Sequence, residues 1–361
     1  MRKGWKVKKL HEVCELDKVQ DIHQDLPYVG LEHIESHTAR FIGSAAPQKV
    51  KSSTFRFTPE HVLYGRLRPY LNKVLMPNFE GHCSTEIFPL KPGRVLSRLF
   101  LLYWLLSDKT CKRINTTCTG ARMPRAQMNE VMDFDFPLPP LPEQQRIVAI
   151  LDEALASIAI AKANAEKTLQ HAHDIFESYL NNIDAERTSL SELVNITTGK
   201  LDANAAIVNG KYPFFTCSRD IFAIDNYAFD GEAILLAGNN AVGDFNVKHY
   251  IGKFNAYQRT YVITVNEKKR VLYRYLYYQM LRSLKKFKEQ SVGAGTKFLK
   301  LGMIKDMEIV LPTISEQANC VLKMDFLLAE THHLESLYRR KLAALDELKK
   351  SLLDQAFSGR L

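Results

Sequence analysis

The sequence predicts an α+β fold: two similar mixed α/β globular domains separated by two long helices, the helices packed as an antiparallel coiled coil with pseudo-two-fold symmetry. Three observations predict it. The pattern Leu-Pro-x-x-x-Glu-Gln occurs at Leu138, Pro139, Glu143 and Gln144 and again at Leu311, Pro312, Glu316 and Gln317, with Asp152 and Asp325 following at equal spacing. A repeat separated by this length marks two like halves. Each copy opens a stretch free of proline and glycine, Glu143 to Leu180 and Glu316 to Leu353. Upstream of each copy, short apolar runs broken by Gly and Asn turns read as strands.

The elements follow in chain order. Residues 1–138 form the first globular domain, 139–186 the first spacer helix, 187–311 the second domain and 312–361 the second spacer helix. The halves also match near their starts, where Leu10, Glu12 and Val13 pair with Leu190, Glu192 and Leu193, and again where Tyr103, Leu106 and Gly120 pair with Tyr278, Leu281 and Gly295. Runs such as 231–237 and 260–265 read as strands, and 99–106 and 272–284 as the helices of the two domains. The stripe Tyr273, Tyr277, Tyr278, Met280, Leu281 and Leu284 is expected to close a core rather than to stack on bases.

Along the first long helix, Leu151, Leu155, Ile158, Lys162, Ala165, Leu169, Ala172, Phe176 and Tyr179 advance by alternating fours and threes. Leu327, Thr331, Leu334, Tyr338, Lys341, Leu345, Leu348 and Leu352 do the same in the second. This is coiled-coil seam spacing. Each stretch of about 38 residues is roughly 57 Å long as a helix, more than one small domain can bury. The one lysine in each seam either fixes register or reaches out to solvent. Pairing the helices antiparallel returns the chain and puts the domains at opposite ends, a ruler between two contacts.

Charge localises those contacts. Residues 1–140 carry 21 basic against 14 acidic side chains and residues 187–312 carry 18 against 11, net +7 each, whereas 141–186 is net −5 and 313–361 is neutral. Two basic bodies joined by acidic or neutral helices suggest two polyanion sites, and nucleic acid is the commonest such partner. No apolar run is long enough to span a bilayer, and no apolar region follows the basic start of the chain. Six cysteines without a C-x-x-C pair favour reduced thiols and a cytoplasmic setting over disulfides or metal. No Asn/Asp-Pro-Pro-aromatic tetrad or phosphate-binding loop is present. The segment Gly293 to Lys297 has the wrong spacing for such a loop and reads as a turn, and the His171/His173 and His332/His333 pairs lack zinc-helix spacing.

These residues together resemble the specificity subunits of type I restriction and modification systems. The string PLPPLPEQQRIVAILD (137–152) is a full match to the family's domain boundary, and VLPTISEQANCVLKMD (310–325) is a weaker one, lacking the second proline and the basic residue after Glu-Gln. TGARMPRAQMNEV (119–131) and GAGTKFLKLGMIKDM (293–307) are similar to the closing segments of the family's recognition domains. The resemblance covers essentially the whole chain. It implies a subunit without catalytic activity or cofactor of its own. Such a subunit reads a split double-stranded DNA target and holds two N6-adenine methyltransferase subunits that use S-adenosylmethionine. It also allows for two restriction/translocase subunits that use ATP and magnesium.

Candidate DNA contacts in the first domain are Arg66, Arg68 and Lys73, set among aromatics and turn formers, with Arg122 and Arg125 on a second basic loop. In the second domain they are Asn239, Asn240, Tyr257, Gln258, Arg259 and Lys297. Arg suits bidentate guanine contacts, Lys phosphate, and Asn or Gln adenine, so the second domain is expected to read the more A·T-containing half. Leu151, Leu155, Ile158, Leu169, Phe176, Leu327, Leu334, Leu345, Leu348 and Leu352 are the candidate helix and partner interface. Two alternatives stay open here: a non-catalytic helical scaffold, and the recognition part of a fused restriction–methylation enzyme. The start of the chain within a recognition domain, and its end one helix after the second, favour a whole specificity subunit.

Overall fold

The computed structural model describes residues 4–23, 25–181, 183–267, 270–293 and 295–361, without the side chains of His173, Phe176, Glu177, Leu180 and Asn181. The Phe176 seam contact and the Ala294 position of the 293–297 turn therefore lie outside the described residues. The chain forms two compact units, residues 1–165 with 339–361, and residues 166–338.

In the first unit an antiparallel ribbon, Lys6–Lys9 against Asp135–Leu138, ties the start of the domain to its end. One antiparallel sheet runs in the order Cys14–Leu16, Ile87–Pro92, Val62–Gly65, Val74–Leu75. A second runs Gln20–Asp21, Thr54–Phe57, Gly81–Cys83, Tyr28–Val29, its last pair parallel. The helix Arg98–Leu106 buries every residue from Phe100 to Leu106, as its nearly unbroken apolar sequence requires. It is followed by Asp108–Thr116, whose N-terminus is capped by the Ser107 hydroxyl.

In the second unit the ribbon recurs as Arg187–Ser189 against Glu308–Val310. Its sheet is one piece of six strands: Val194–Thr198, Thr260–Val265, Phe229–Ala237, Val247–Ala256, Tyr212–Phe215, Phe222–Ile224. The helix Tyr273–Gln290 packs Tyr273, Tyr278 and Met280 into the core, with Tyr277, Leu281 and Leu284 partly buried against it, so the aromatic stripe closes the domain.

The sheets differ because one hairpin is whole in the second domain and interrupted in the first. Phe229–Ala237 and Val247–Ala256 pair without a break. In the first domain Phe57 faces Gly81 and Leu63 faces Leu75, so the same register runs through the gap. The interruptions hold Pro59 on one strand and Pro77 on the other, each without the N–H a continuous ladder needs. One long hairpin thereby becomes two short ones in two sheets.

The repeated motif makes the joint between each domain and its long helix. Gln144 is fully buried at the start of the helix Leu141–Asn181. Its Nε2 donates to the carbonyls of Val95 (2.9 Å) and Pro139 (2.8 Å), and its Oε1 accepts from Ser97 N–H at 2.8 Å. Gln317, equally buried at the start of Ile314–Ser358, donates to Arg270 and Pro312 carbonyls at 2.9 Å each and accepts from Leu272 N–H at 2.9 Å. One helical stretch further on, the Tyr103 hydroxyl donates to Asp152 and the Tyr278 hydroxyl to Asp325. The glutamate has a different partner in each copy: Glu143 pairs with Arg146 at 2.7 Å, and Glu316 accepts from Thr313 N–H at 2.9 Å as an N-terminal cap.

The long helices are antiparallel in the first unit, where Arg146 reaches the Leu361 carbonyl and Lys162 forms an ion pair with Asp346. Lys162 thus bridges to the neighbouring helix. Leu151 and Ile158 are buried and Leu155 packs on the first domain's core; Leu327 packs on the second domain's core, and Leu169, Leu334 and Leu345 are half-buried. In the second unit Lys323 lies over the Tyr179 ring. The predicted second stripe departs from the structure after Tyr338. Lys341 is exposed and Leu348 is 47% exposed, while Leu342 and Lys349 take the more buried places ahead of Leu352, Leu353 and Ala356. Two consecutive steps of four, from Leu334 to Tyr338 to Leu342, insert a stutter that moves the stripe by one residue.

Candidate nucleic-acid interface

In the first domain the two basic loops, more than 50 residues apart in sequence, are brought together. Arg68 N–H donates to the Pro124 carbonyl at 2.7 Å and Ala126 N–H to the Arg66 carbonyl at 2.9 Å. Thr119 and Arg125 exchange backbone hydrogen bonds of 3.1 and 3.0 Å, closing a turn in which Gly120 has φ +90°. Glu86 locks the arrangement. Its carboxylate accepts from Arg66 Nε at 3.0 Å and Arg125 Nε at 2.8 Å. Burial alone would raise the Glu86 carboxyl, but the bonds from Arg125 and Arg66 outweigh it and hold it below the usual carboxylate range. Arg66 also lies over the Phe88 ring, 5.1 Å from its centroid.

Arg68 and Arg122 are exposed on this frame, as is Tyr70. Arg68 (φ 51°) and Asn72 (φ 41°) bracket the turn Pro69–Leu71 in the left-handed region, conformations that cost energy in non-glycine residues and gather at functional loops. Lys73 is placed differently. Its ammonium donates to the carbonyls of Leu31 (2.6 Å) and Ile34 (2.8 Å), so it acts as a strut beneath the loop.

The second domain repeats this frame with other side chains. Leu299 N–H donates to the Gly238 carbonyl as Ala126 does to Arg66, and Val292 and Phe298 exchange the bonds that Thr119 and Arg125 exchange. Gly293 (φ +118°) therefore occupies the place of Gly120. This corrects the sequence pairing of Gly120 with Gly295. Gly238 stands where Arg66 stands, and a Cβ there would lie 2.4 Å from the Arg259 carbonyl oxygen, which explains the glycine. Asn240 takes the place of Arg68, Arg259 that of Glu86 and Phe298 that of Arg125. The ion-pair lock becomes a cation–π lock, with the Arg259 guanidinium 5.2 Å from the Phe298 centroid.

Strand pairing sets Asn239 opposite Phe298 and Asn240 opposite Lys297. The Asn240 side-chain oxygen accepts from Val242 N–H (2.9 Å) and Asp244 N–H (3.0 Å), shaping the next turn. Gln258 donates to Asp202, and Tyr257 N–H to the Phe215 carbonyl at 2.9 Å. Gln258, Arg259 and Phe298 line a cleft of about 340 Å³ with Gly238 and Tyr261. Asn246 is the counterpart of Lys73, its Nδ2 donating to the Cys217 carbonyl at 2.9 Å. Glu86, Phe298 and Asn246 were not singled out from the sequence. Glu86 reaches its arginines from 20 and 39 residues away, and no local spacing announces that.

Residues 2–171 and 182–339 both match the family described as the type I restriction modification DNA specificity domain. The chain belongs to this family. Each matched stretch holds one copy of the frame above. It is 40% identical over 179 residues to the EcoDI specificity subunit of Escherichia coli, an alignment covering 50% of this chain and 39% of that subunit's length. It is 19% identical to the StySPI specificity subunit of Salmonella potsdam, covering 87% of this chain and 78% of that one. The fold is shared with a chain from a structural study of complex assembly and conformational transition of the type I R-M system, at TM-score 0.80, 19% identity and coverage of 100% and 99%. It is also shared with the HsdS subunit of Thermoanaerobacter tengcongensis, at TM-score 0.58, 18% identity and coverage of 100% and 98%. Among the described residues no helix is long and apolar enough to cross a membrane.

Proposed function

We propose that the chain is the DNA sequence-specificity subunit of a type I restriction–modification complex. In this reading it has no catalytic role and reads a bipartite, asymmetric double-stranded target with a fixed gap. The observation that carries the proposal is the repeated loop frame dressed with unlike side chains: Arg66 and Arg125 locked by Glu86 with Arg68 and Arg122 exposed on the same loops in one domain, and Asn239, Asn240, Arg259 and Lys297 about Phe298 in the other. One scaffold used twice with different donors suits two different half-sites. Arg68 and Arg122 are the leading candidates for base or phosphate contact in the first domain, and Lys73 supports them from below.

The domain limits 1–138, 139–186, 187–311 and 312–361 belong to the same proposal. The long helices, through Leu151, Ile158, Leu169, Leu327, Leu334 and their neighbours, hold the recognition domains and offer a platform for two N6-adenine methyltransferase subunits, to which two motor–nuclease subunits can add. S-adenosylmethionine, ATP and magnesium act in those partners. The test is half-site selectivity of the assembled complex. Arg68→Ala with Arg122→Ala should weaken binding to one half-site, and Asn240→Ala with Arg259→Ala to the other, by roughly 1–3 kcal/mol per lost bidentate contact. Equal effects of both pairs on every duplex, cognate or not, would leave only non-specific binding.

A further inference from the structure

The two domains differ at one more place. Beside the ribbon of the first domain, Leu353, Asp354 and Phe357 of the second long helix fill a groove next to Val7 and Lys109, leaving about 180 Å³ there and an adjoining cleft of about 440 Å³ along Lys109, Lys112 and Lys350. At the equivalent place in the second domain, where Arg187 stands for Val7 and Glu308 for Asp135 in the ribbon pairing, the described residues line a groove of about 1140 Å³.

Its walls carry Arg187, Arg282, Lys285, Lys286 and Lys300. Its acids are Glu289, Asp306 and Glu308, the last matched to Arg187 at 3.3 Å, so basic side chains outnumber acidic ones five to three. Lys285, Lys286 and Lys300 are exposed, and none lies in an ion pair among the described residues. Chain neighbours link the groove to the candidate reading loops. The side chains of Lys288 and Lys297 both fill the space beside Gly243, at the end of Tyr273–Gln290 that leads to Lys285 and Lys286, and Lys300 follows directly on the Lys297–Phe298 strand.

We infer that this groove grips the sugar–phosphate backbone of the duplex beside the bases read by the second domain, a sequence-independent hold. The inference rests on the DNA-reading proposal above. Unmatched ammonium groups on flexible stems suit phosphate better than base edges. An acidic protein surface is the other polyanion that could use them, and the test separates the two.

The experiment measures the salt dependence of duplex affinity for the full chain co-purified with its methyltransferase. Lys285→Ala/Lys286→Ala/Lys300→Ala should lower the slope of log K against log salt by roughly two to three, about one per lost phosphate contact. Cognate and unrelated duplexes should weaken alike, the recognised bases should stay the same, and the Lys→Arg triple variant should restore the slope. If the alanine triple variant does not fold, Lys286→Ala alone should lower the slope by about one. A slope and affinity equal to those of the unsubstituted complex would overturn the inference. Loss of the methyltransferase with the DNA slope intact would overturn it too, and would assign the groove to a protein partner. A parent complex that binds no duplex would remove the DNA-reading proposal itself, and the groove's role with it.

Discussion

Glu86 is the residue on which the first domain's loop geometry turns. Glu86→Gln removes the charge that pairs Arg66 with Arg125 but keeps the shape. The carboxylate is 22% exposed and its arginines 33% and 36%, so solvent screens the pairs and the expected loss is only about 1 kcal/mol. The folded carboxyl is depressed below its ordinary value of 4.5, so its contribution is present in full above that pH and is lost as pH falls through the lower folded value. Thermal melts from pH 7 to pH 3 should therefore show a steeper acid decline for the parent protein than for Glu86→Gln, and equal declines would contradict the lock. Gln144 and Gln317 are stiffer points. Each is fully buried with three hydrogen bonds to backbone groups, so Gln317→Ala strands a Leu272 donor and two carbonyls and should cost about 2–4 kcal/mol in denaturant unfolding.

At the scale of elements, the second long helix makes a sharp contrast between two nearby leucines. Leu353 is 2% exposed in the first domain's core, whereas Leu348 is 47% exposed. Leu353→Ala should cost about 2–4 kcal/mol and Leu348→Ala less than about 0.5 kcal/mol, read as shifts in thermal midpoint. The heptad spacing puts Leu348 on the seam and leaves Leu353 off it, because periodicity cannot register a stutter that depends on what lies opposite. Much else at this scale was legible. Pro139 and Pro312 stand two residues before the long helices, which start at Leu141 and Ile314, Tyr103 with Asp152 and Tyr278 with Asp325 are paired in the structure, and 231–237 and 260–265 are strands. The split of the first domain's hairpin was not read, since Pro59 and Pro77 look like ordinary loop prolines until their strands are paired in space. The same limit applies to the interface. Arginine-rich loops can be picked out by composition, but Lys73 serves as a strut because two carbonyls 39 and 42 residues away turn toward it.

At the scale of the whole molecule, the duplication means that each domain should be replaceable on its own. Exchanging residues 187–311 for the equivalent domain of another family member should change one half of the recognised sequence and leave the other half intact, as read by methylation of the hybrid's targets. The ribbon Arg187–Ser189 with Glu308–Val310 brings the two ends of that segment together, so the graft keeps its own closure. A hybrid altered in both halves would mean that the domains do not read independently.

The measurement closest to the central claim is a methylation map. The chain is co-expressed with the methyltransferase subunit that the proposed function assigns to it, in a host lacking adenine methylation, and modified adenines are sequenced genome-wide. The account predicts one split motif, two unlike short half-sites with a constant unspecified gap, one for each domain. A single continuous motif, or no methylation from an assembled complex supplied with S-adenosylmethionine, would contradict it.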